Sequence, residues 1–231
     1  MGLSLMFLIK PNVFMIRIAS ICVCLLISIS AMAQSGADTI HYRKVYYFGG
    51  TGLSFPLGKT KDVLTTKLFT GSMGLDISLK NPKYYLQPTL YMMAFGYNQL
   101  QDDSEYNRVL KNARSTMYIL SLAGGMRRQW DRLNTYAYLG PSGALNMEPR
   151  AEDNAADGTV NLHYEYSISP AIKLGVGSDY KFKGFFLGME VGYMHNFRKM
   201  QGNPVNVLSI MVGLKSDITK ISDKVVEVIS K

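Results

Sequence analysis

Four stretches of this chain alternate apolar and polar residues with a period of two, and this alternation constrains the fold more than any other feature. In the clearest stretch, residues 164–182, the even positions are apolar, aromatic or proline at every place except Ser178. The odd positions of the same stretch carry four charges: Glu165, Lys173, Asp179 and Lys181. A pleated strand places alternate side chains on opposite faces, and a row with four charges cannot belong to a buried core. One face is therefore predicted to lie in hydrocarbon while the other lines a wet interior.

The same scheme recurs in residues 69–79, 185–197 and 208–215. Within hydrocarbon, strands satisfy their backbone hydrogen bonds only as a closed barrel. The predicted fold is therefore all-β, an eight-stranded antiparallel transmembrane β-barrel. The predicted strands cover residues 45–55, 67–80, 83–98, 113–128, 134–147, 164–181, 184–197 and 205–215.

The predicted connections alternate in length. Short turns fall at residues 81–82, 129–133 and 182–183, whereas residues 56–66, 99–112, 148–163 and 198–204 form longer, more polar connections. Short periplasmic turns and longer outer loops are typical of outer-membrane barrels. An even number of strands then places both chain ends in the periplasm.

The amino terminus is predicted to be a cleaved signal peptide, residues 1–33. Lys10 and Arg17 precede an apolar run at residues 18–29, which is followed by the small-x-small sequence Ala31-Met32-Ala33. The run is too short for a transmembrane helix, the alternative interpretation, which needs about 20 apolar residues. Met15 is an alternative initiator. The mature chain would begin at Gln34 and would contain no cysteine, because Cys22 and Cys24 lie in the leader.

The lumen of an eight-stranded barrel is just wide enough for side chains to fill it. Six charged residues are predicted to point inward, and they include both signs: Asp76, Arg127, Lys173, Asp179, Glu190 and Lys215. Such charges can pair across the lumen, and Lys173 and Glu190 lie on neighbouring strands. Two interpretations follow, a salt-bridged plug that gives rigidity or a gated path for ions.

The sequence predicts no catalytic, cofactor-binding or metal-binding site. Gly58-Lys59-Thr60 lacks the earlier glycine of a phosphate-binding loop. The acidic residues Glu152, Asp153 and Asp157 lack the spacing of a calcium loop. His41, His163 and His195 show no metal-ligand spacing.

A lipid-modifying enzyme around His195 remains an alternative for the outer rim. The register predicted for the last strand places Asn206 and Leu208, and no serine, on the same face as His195. A general base without a hydroxyl nucleophile beside it argues against this alternative.

The predicted periplasmic turns are basic and suit anionic phospholipid headgroups. The residues concerned are Lys80, Lys83, Arg127, Arg128, Arg132, Lys181 and Lys183. Trp130, the only tryptophan, falls in one of these turns, either as an interfacial anchor or packed under the turn. Lipid and lipopolysaccharide are the expected partners, and no pattern points to nucleic acid.

The chain continues beyond the last predicted strand as residues 216–231. Apolar residues in this tail fall at helical spacing: Ile218, Ile221, Val225, Val228 and Ile229. We predict a periplasmic amphipathic tail, following a periplasmic segment at 34–44 and the barrel at 45–215. Such a helix either lies on the inner leaflet or docks to a periplasmic protein.

With a leader that ends before Gln34 and amphipathic strands joined by short and long connections, the chain resembles small Gram-negative outer-membrane barrels of the OmpA-barrel and PorT-like kind. The resemblance covers nearly all of residues 34–215 and is one of pattern. Members include structural barrels, adhesion factors and accessory components of secretion assemblies. The resemblance therefore implies a non-enzymatic scaffold or interaction component, for example of a periplasm-spanning or type IX-like secretion assembly. A narrow porin-like channel for ions or small solutes is the alternative.

Overall fold

The computed structural model describes residues 44–100, 110–154 and 159–219. These residues form eight strands and one short helix. The strands are β1 (Val45–Pro56), β2 (Leu64–Ser78), β3 (Tyr84–Tyr97), β4 (Ala113–Trp130), β5 (Leu133–Asn154), β6 (Thr159–Lys181), β7 (Phe186–Met200) and β8 (Asn203–Asp217), and the helix is α1 (Thr60–Val63). Within the described residues, no helix is long and apolar enough to cross a bilayer.

The eight strands form a closed antiparallel barrel in chain order. Strand β1 closes the ring by pairing with β8 from Tyr46 opposite Asp217 to Pro56 opposite Val207. Closure leaves no sheet edge within the ring, so the backbone is hydrogen-bonded all the way round. The predicted eight-stranded antiparallel barrel is confirmed.

Two connections predicted to be long prove to be mostly strand. Residues 148–154 of β5 pair with residues 159–165 of β6, so this hairpin extends beyond its neighbours. Strands β7 and β8 are joined through Gln201 and Gly202, whose φ angles of 48° and 75° are those of a tight hairpin turn. The prediction was wrong here because it treated polar residues as loop, whereas both hairpins continue as paired strand through these polar residues.

The alternation of side chains follows the predicted faces. The inward row of β6 is largely buried, whereas outward Ile168 is 81% exposed and outward Leu120 on β4 is 65% exposed. Exposed apolar side chains occur on every strand, for example Tyr47, Met73, Leu90, Leu122, Leu139, Val176, Met189 and Val212. The barrel is therefore apolar on the outside and closely packed within.

The first connection after β1 folds back over one end of the barrel. The hydroxyl of Thr60 on α1 donates to the carbonyl of Pro204 at 2.8 Å and accepts from the backbone N–H of Asn206 at 2.9 Å. Val63 and Leu64, next in the chain, are buried in the core that fills this end of the lumen. The connection thus acts as a cover for that end.

Several predicted features lie outside the described residues. These are the signal peptide at 1–33, most of the 34–44 segment and the tail from Lys220 onward, which includes Ile221, Val225, Val228 and Ile229. Where the tail begins, the N–H of Ile218 donates to the carbonyl of Val45 at 2.9 Å. The hydroxyl of Thr219 accepts from the N–H of Val45 at 3.1 Å. The start of the tail is therefore tied to the start of β1.

Candidate functional site in the lumen

All six predicted lumen charges lie on inward positions of the barrel. Five are buried, at 0–7% exposure, and Glu190 is partly buried. They come from β2 (Asp76), β4 (Arg127), β6 (Lys173 and Asp179), β7 (Glu190) and β8 (Lys215). Because residue parity decides the face of a strand, charges from five strands all point into the same lumen.

Four of these charges form one cluster, which we call the lumen charge cluster: Arg127, Asp76, Lys215 and Asp179. The Arg127 guanidinium donates to both Asp76 oxygens, at 3.0 and 2.6 Å. The Lys215 ammonium donates to Asp76 at 3.0 Å and to Asp179 at 2.5 Å. Positive and negative groups alternate along the cluster and its formal charge is zero. A bidentate arginine contact is among the strongest and most directional of ion pairs.

Tyrosine rings enclose the cluster on the lumen side. The Arg127 guanidinium lies 4.4 Å from the ring centre of Tyr85, and the Lys215 ammonium lies 5.1 Å from that of Tyr136. Glycine makes the space for such rings, because a Cβ at Gly177 would collide with the ring of Tyr136. These contacts hold the cations by cation–π attraction as well as by ion pairing.

A cavity of about 40 Å³ lies beside the cluster. Asp76, Asp179 and Glu190 are among its lining residues, together with Tyr85 and Tyr136. A buried water needs about 10–15 Å³ of such volume, so the cavity has room for about three waters. It can hydrate the cluster but is too small to hold an organic solute.

Lys173 and Glu190 are neighbours by strand order, but they form no ion pair in the structure. Lys173 lies opposite Met194 and Glu190 lies opposite Gly177, so the register separates them by four residues along the barrel wall. Glu190 instead accepts a hydrogen bond of 2.6 Å from the hydroxyl of Tyr138. The Lys173 ammonium lies 4.2 Å from the ring centre of Tyr91 and has no hydrogen-bond partner among the described residues.

Replacing Lys173 by methionine is expected to leave the free energy of unfolding unchanged or to raise it. The methionine keeps most of the side-chain length and removes a buried ammonium that lacks a hydrogen-bond acceptor. The lost cation–π contact offsets this by about 1 kcal/mol. Equilibrium unfolding in detergent micelles measures the effect. A loss above about 2 kcal/mol would show that Lys173 has a stabilising partner.

Sequence reasoning missed the apolar half of the lumen. Around Lys173 and towards the end covered by the first connection, the interior is filled by apolar side chains from seven strands, β2 to β8, and by Val63 of the connection. Members of this core include Met93, Phe95, Met117, Ile119, Met194, Val205, Val207 and Met211. The signal was hidden because the inner and outer rows of residues 91–97 are both apolar, so they show no alternation.

The outer-face histidine has polar neighbours. Nδ1 of His195 lies 2.7 Å from the side-chain oxygen of Asn206, which also accepts from the hydroxyl of Tyr193 at 2.8 Å. The ring of Phe197 packs edge-on against His195. Among the described residues, no group of three or more His, Cys, Asp or Glu side chains could hold a metal ion. The side chains of Glu152, Asp153 and Asp157 lie outside the described part of the chain.

Comparison with known proteins finds similar solved structures but no family. No family model and no curated protein matches the chain. The chain is similar to Neisserial surface protein A (TM-score 0.48, 11% identity, covering 75% of this chain and 97% of that one). It is also similar to Ail of Yersinia pestis (TM-score 0.42, 10% identity, 76% and 97%) and to the N-terminal β-barrel domain of Pseudomonas aeruginosa OprF (TM-score 0.40, 12% identity, 75% and 98%). The predicted resemblance to small outer-membrane barrels is confirmed, and the fold itself rests on the strand register described above.

Proposed function

We propose that this protein is a non-enzymatic β-barrel of the Gram-negative outer membrane that acts as a scaffold or interaction component. The observation that carries the proposal is the combination of an apolar outer face on every strand with a lumen filled by packed side chains. A soluble monomer rarely exposes a continuous apolar belt, because hydrating such a surface is unfavourable. Lipid covers this belt, and the rigid barrel serves as an anchor.

The proposed orientation places the end with the β2–β3, β4–β5 and β6–β7 turns, the short turns that the sequence predicted, in the periplasm. Strand β1 begins at this end, and the tail leaves the barrel there. The β5–β6 hairpin then stands outside the cell, beyond the belt. From Tyr180 to Pro170 a tilted strand rises about 25 Å, which is the height of the apolar band of such barrels. Outward residues of β6 beyond Pro170 therefore meet headgroups, lipopolysaccharide or water.

A closed lumen argues against the channel alternative. The lumen charge cluster fills one half of the interior, and the apolar core, which includes Val63 of the first connection, fills the other. The small cavity beside the cluster is the observation that favours a channel, since three carboxylates line it. The apolar core separates this cavity from the covered end of the barrel.

In planar bilayers, the refolded chain is expected to show no steady current. Ions would have to cross the apolar core, where an unpaired charge is strongly disfavoured. The matched test compares the unaltered chain with a Phe95→Ala, Met117→Ala variant that opens this core. A steady current from the unaltered chain that changes with Lys173→Ala would support the channel and overturn the scaffold proposal.

The partner of the proposed scaffold is a periplasmic protein, for example of a secretion assembly, that binds the tail. Deleting residues 220–231 is expected to abolish its recovery in affinity purification from native membranes. The cut leaves Ile218 and Thr219, which contact β1, in place. A full-length Ile221→Asp, Val225→Asp variant controls for tail length. If all three proteins recover the same partners, the tail has no such role.

A further inference from the structure

An open groove of about 510 Å³ lies on the outer face of the barrel near the end with the short turns. It runs across β3, β4 and β5 and is lined almost wholly by apolar atoms. The residues that shape it are Tyr84, Leu86, Gly124, Met126, Ala137 and Leu139. All six lie on outward positions, so the groove faces whatever covers the barrel.

The groove exists because its floor lacks side chains. Gly124 lies directly between Leu86 on β3 and Leu139 on β5, and a Cβ added at Gly124 would meet nothing within 4 Å. Ala137, opposite Met126, adds only a methyl group. Tall side chains thus flank a floor of glycine and alanine, which makes a depression wide enough for an alkyl chain.

The turns at the end of the groove are rich in positive charge. Lys83 directly precedes Tyr84, which lines the groove. The carbonyl of Lys83 accepts a hydrogen bond of 2.8 Å from the N–H of Arg127, so Lys83 lies beside β4. Arg128 is exposed two residues beyond Met126 on the same face. The two turns and the adjoining end of β4 hold four cations and one carboxylate: Lys80, Lys83, Arg128, Arg132 and Asp131. An anion at this end of the groove would be attracted.

We propose that the groove is a binding site for one acyl chain of an anionic diacyl phospholipid, whose phosphate lies between Lys83 and Arg128. The inference rests on the membrane placement proposed above. An apolar groove that ends at a cluster of cations complements a molecule with an alkyl chain and a negatively charged headgroup. A zwitterionic lipid carries an ammonium group that these cations repel, so the site selects anionic lipid.

Trp130 provides a built-in reporter for this site. It is the only tryptophan of the chain, it is 47% exposed, and it lies four residues beyond Met126 on the same face of β4. The Arg128 guanidinium lies 5.0 Å from its ring centre. Bromine on an acyl chain quenches indole fluorescence on contact, so lipid brominated near the headgroup reports occupancy of the end of the groove.

The test refolds the mature chain into phosphatidylcholine bilayers that contain a small, equal fraction of either dibrominated phosphatidylglycerol or dibrominated phosphatidylcholine. Brominated phosphatidylglycerol is expected to quench Trp130 with an apparent affinity about fivefold higher than that of brominated phosphatidylcholine. This is roughly the preference that one basic residue gives near an anionic lipid. The double variant Lys83→Gln, Arg128→Gln is expected to show no preference between the two lipids. Quenching of each protein is measured relative to that protein's own emission without brominated lipid.

Gly124→Leu is expected to abolish the preference by filling the groove. Gly143→Leu is its matched control, because Gly143 also faces outward on a strand, also has nothing within 4 Å of an added Cβ, and lies outside the groove. Equal quenching by both lipids in the unaltered chain, or an unchanged preference in Gly124→Leu, would overturn the lipid site but not the proposed membrane placement. Quenching by neither lipid in an inserted barrel would show that protein covers the groove and would also overturn it. Failure of the unaltered chain to insert would overturn the membrane placement as well.

Discussion

Replacing Asp76 by alanine is expected to lower the free energy of unfolding by about 3–5 kcal/mol, the usual cost of removing one partner of a buried ion pair. Asp76 accepts from both Arg127 and Lys215, and all three side chains are at most 9% exposed. Without Asp76, Arg127 loses the ion-pair partner that the structure gives it, and Lys215 keeps only Asp179. The two buried cations then face each other without the carboxylate that lay between them.

Equilibrium unfolding by urea in detergent micelles or bilayers, followed by the emission of Trp130, measures this loss. Asp62→Ala is the matched control, since Asp62 is an exposed aspartate on α1 and its loss is expected to change stability by less than about 0.5 kcal/mol. Asp76→Asn separates charge from shape and is expected to be nearly as harmful as alanine. A loss of less than about 1 kcal/mol for Asp76→Ala would contradict the structural role of the lumen charge cluster.

Replacing Val176 by arginine is expected to destabilise the barrel by about 2–4 kcal/mol, the cost of a cation on the lipid face near the bilayer midplane. Val176 is 57% exposed on the outward row of β6, four residues above Tyr180. On the proposed placement this is near the middle of the hydrocarbon. In water the same substitution at an exposed strand position would cost little.

Val160→Arg is the matched control, because Val160 belongs to the same outward row of the same strand and is 43% exposed. Sixteen residues of tilted strand separate the two positions by about 40 Å along the barrel axis, more than the height of the apolar band. Refolding stability in bilayers should therefore fall for Val176→Arg and stay within about 1 kcal/mol for Val160→Arg. Equal effects of the two substitutions would contradict the proposed depth of the barrel.

The sequence predicted the ring of strands because, on the proposed membrane placement, each crossing strand has one face in an apolar medium. That condition imposes alternation, and alternation determines which residues point inward, including Asp76 and Asp179 from distant strands. On that placement the alternation is not needed where strands leave the membrane, so the extension of β5 to Asn154 was missed.

Contacts within the lumen were less predictable. Parity places Lys173 and Glu190 on the same side of the wall, but pairing across two strands depends on register, which here sets Lys173 opposite Met194. The apolar core was missed for a different reason. Residues 91–97 are apolar on both rows, so they resemble a buried strand of a soluble protein as much as a strand between lipid and a dry lumen. Only the three-dimensional placement of Val63 and Leu64 over the lumen shows why the inward row of residues 91–97 is apolar.

Sedimentation of the purified mature chain, with and without detergent, tests most directly whether hydrocarbon covers the outer face. The account predicts a folded monomer in detergent and in lipid vesicles, and aggregation once both are removed, because the exposed apolar residues of all eight strands would meet water. A folded, monodisperse monomer in plain buffer would contradict it, since some other surface would then have to cover those strands.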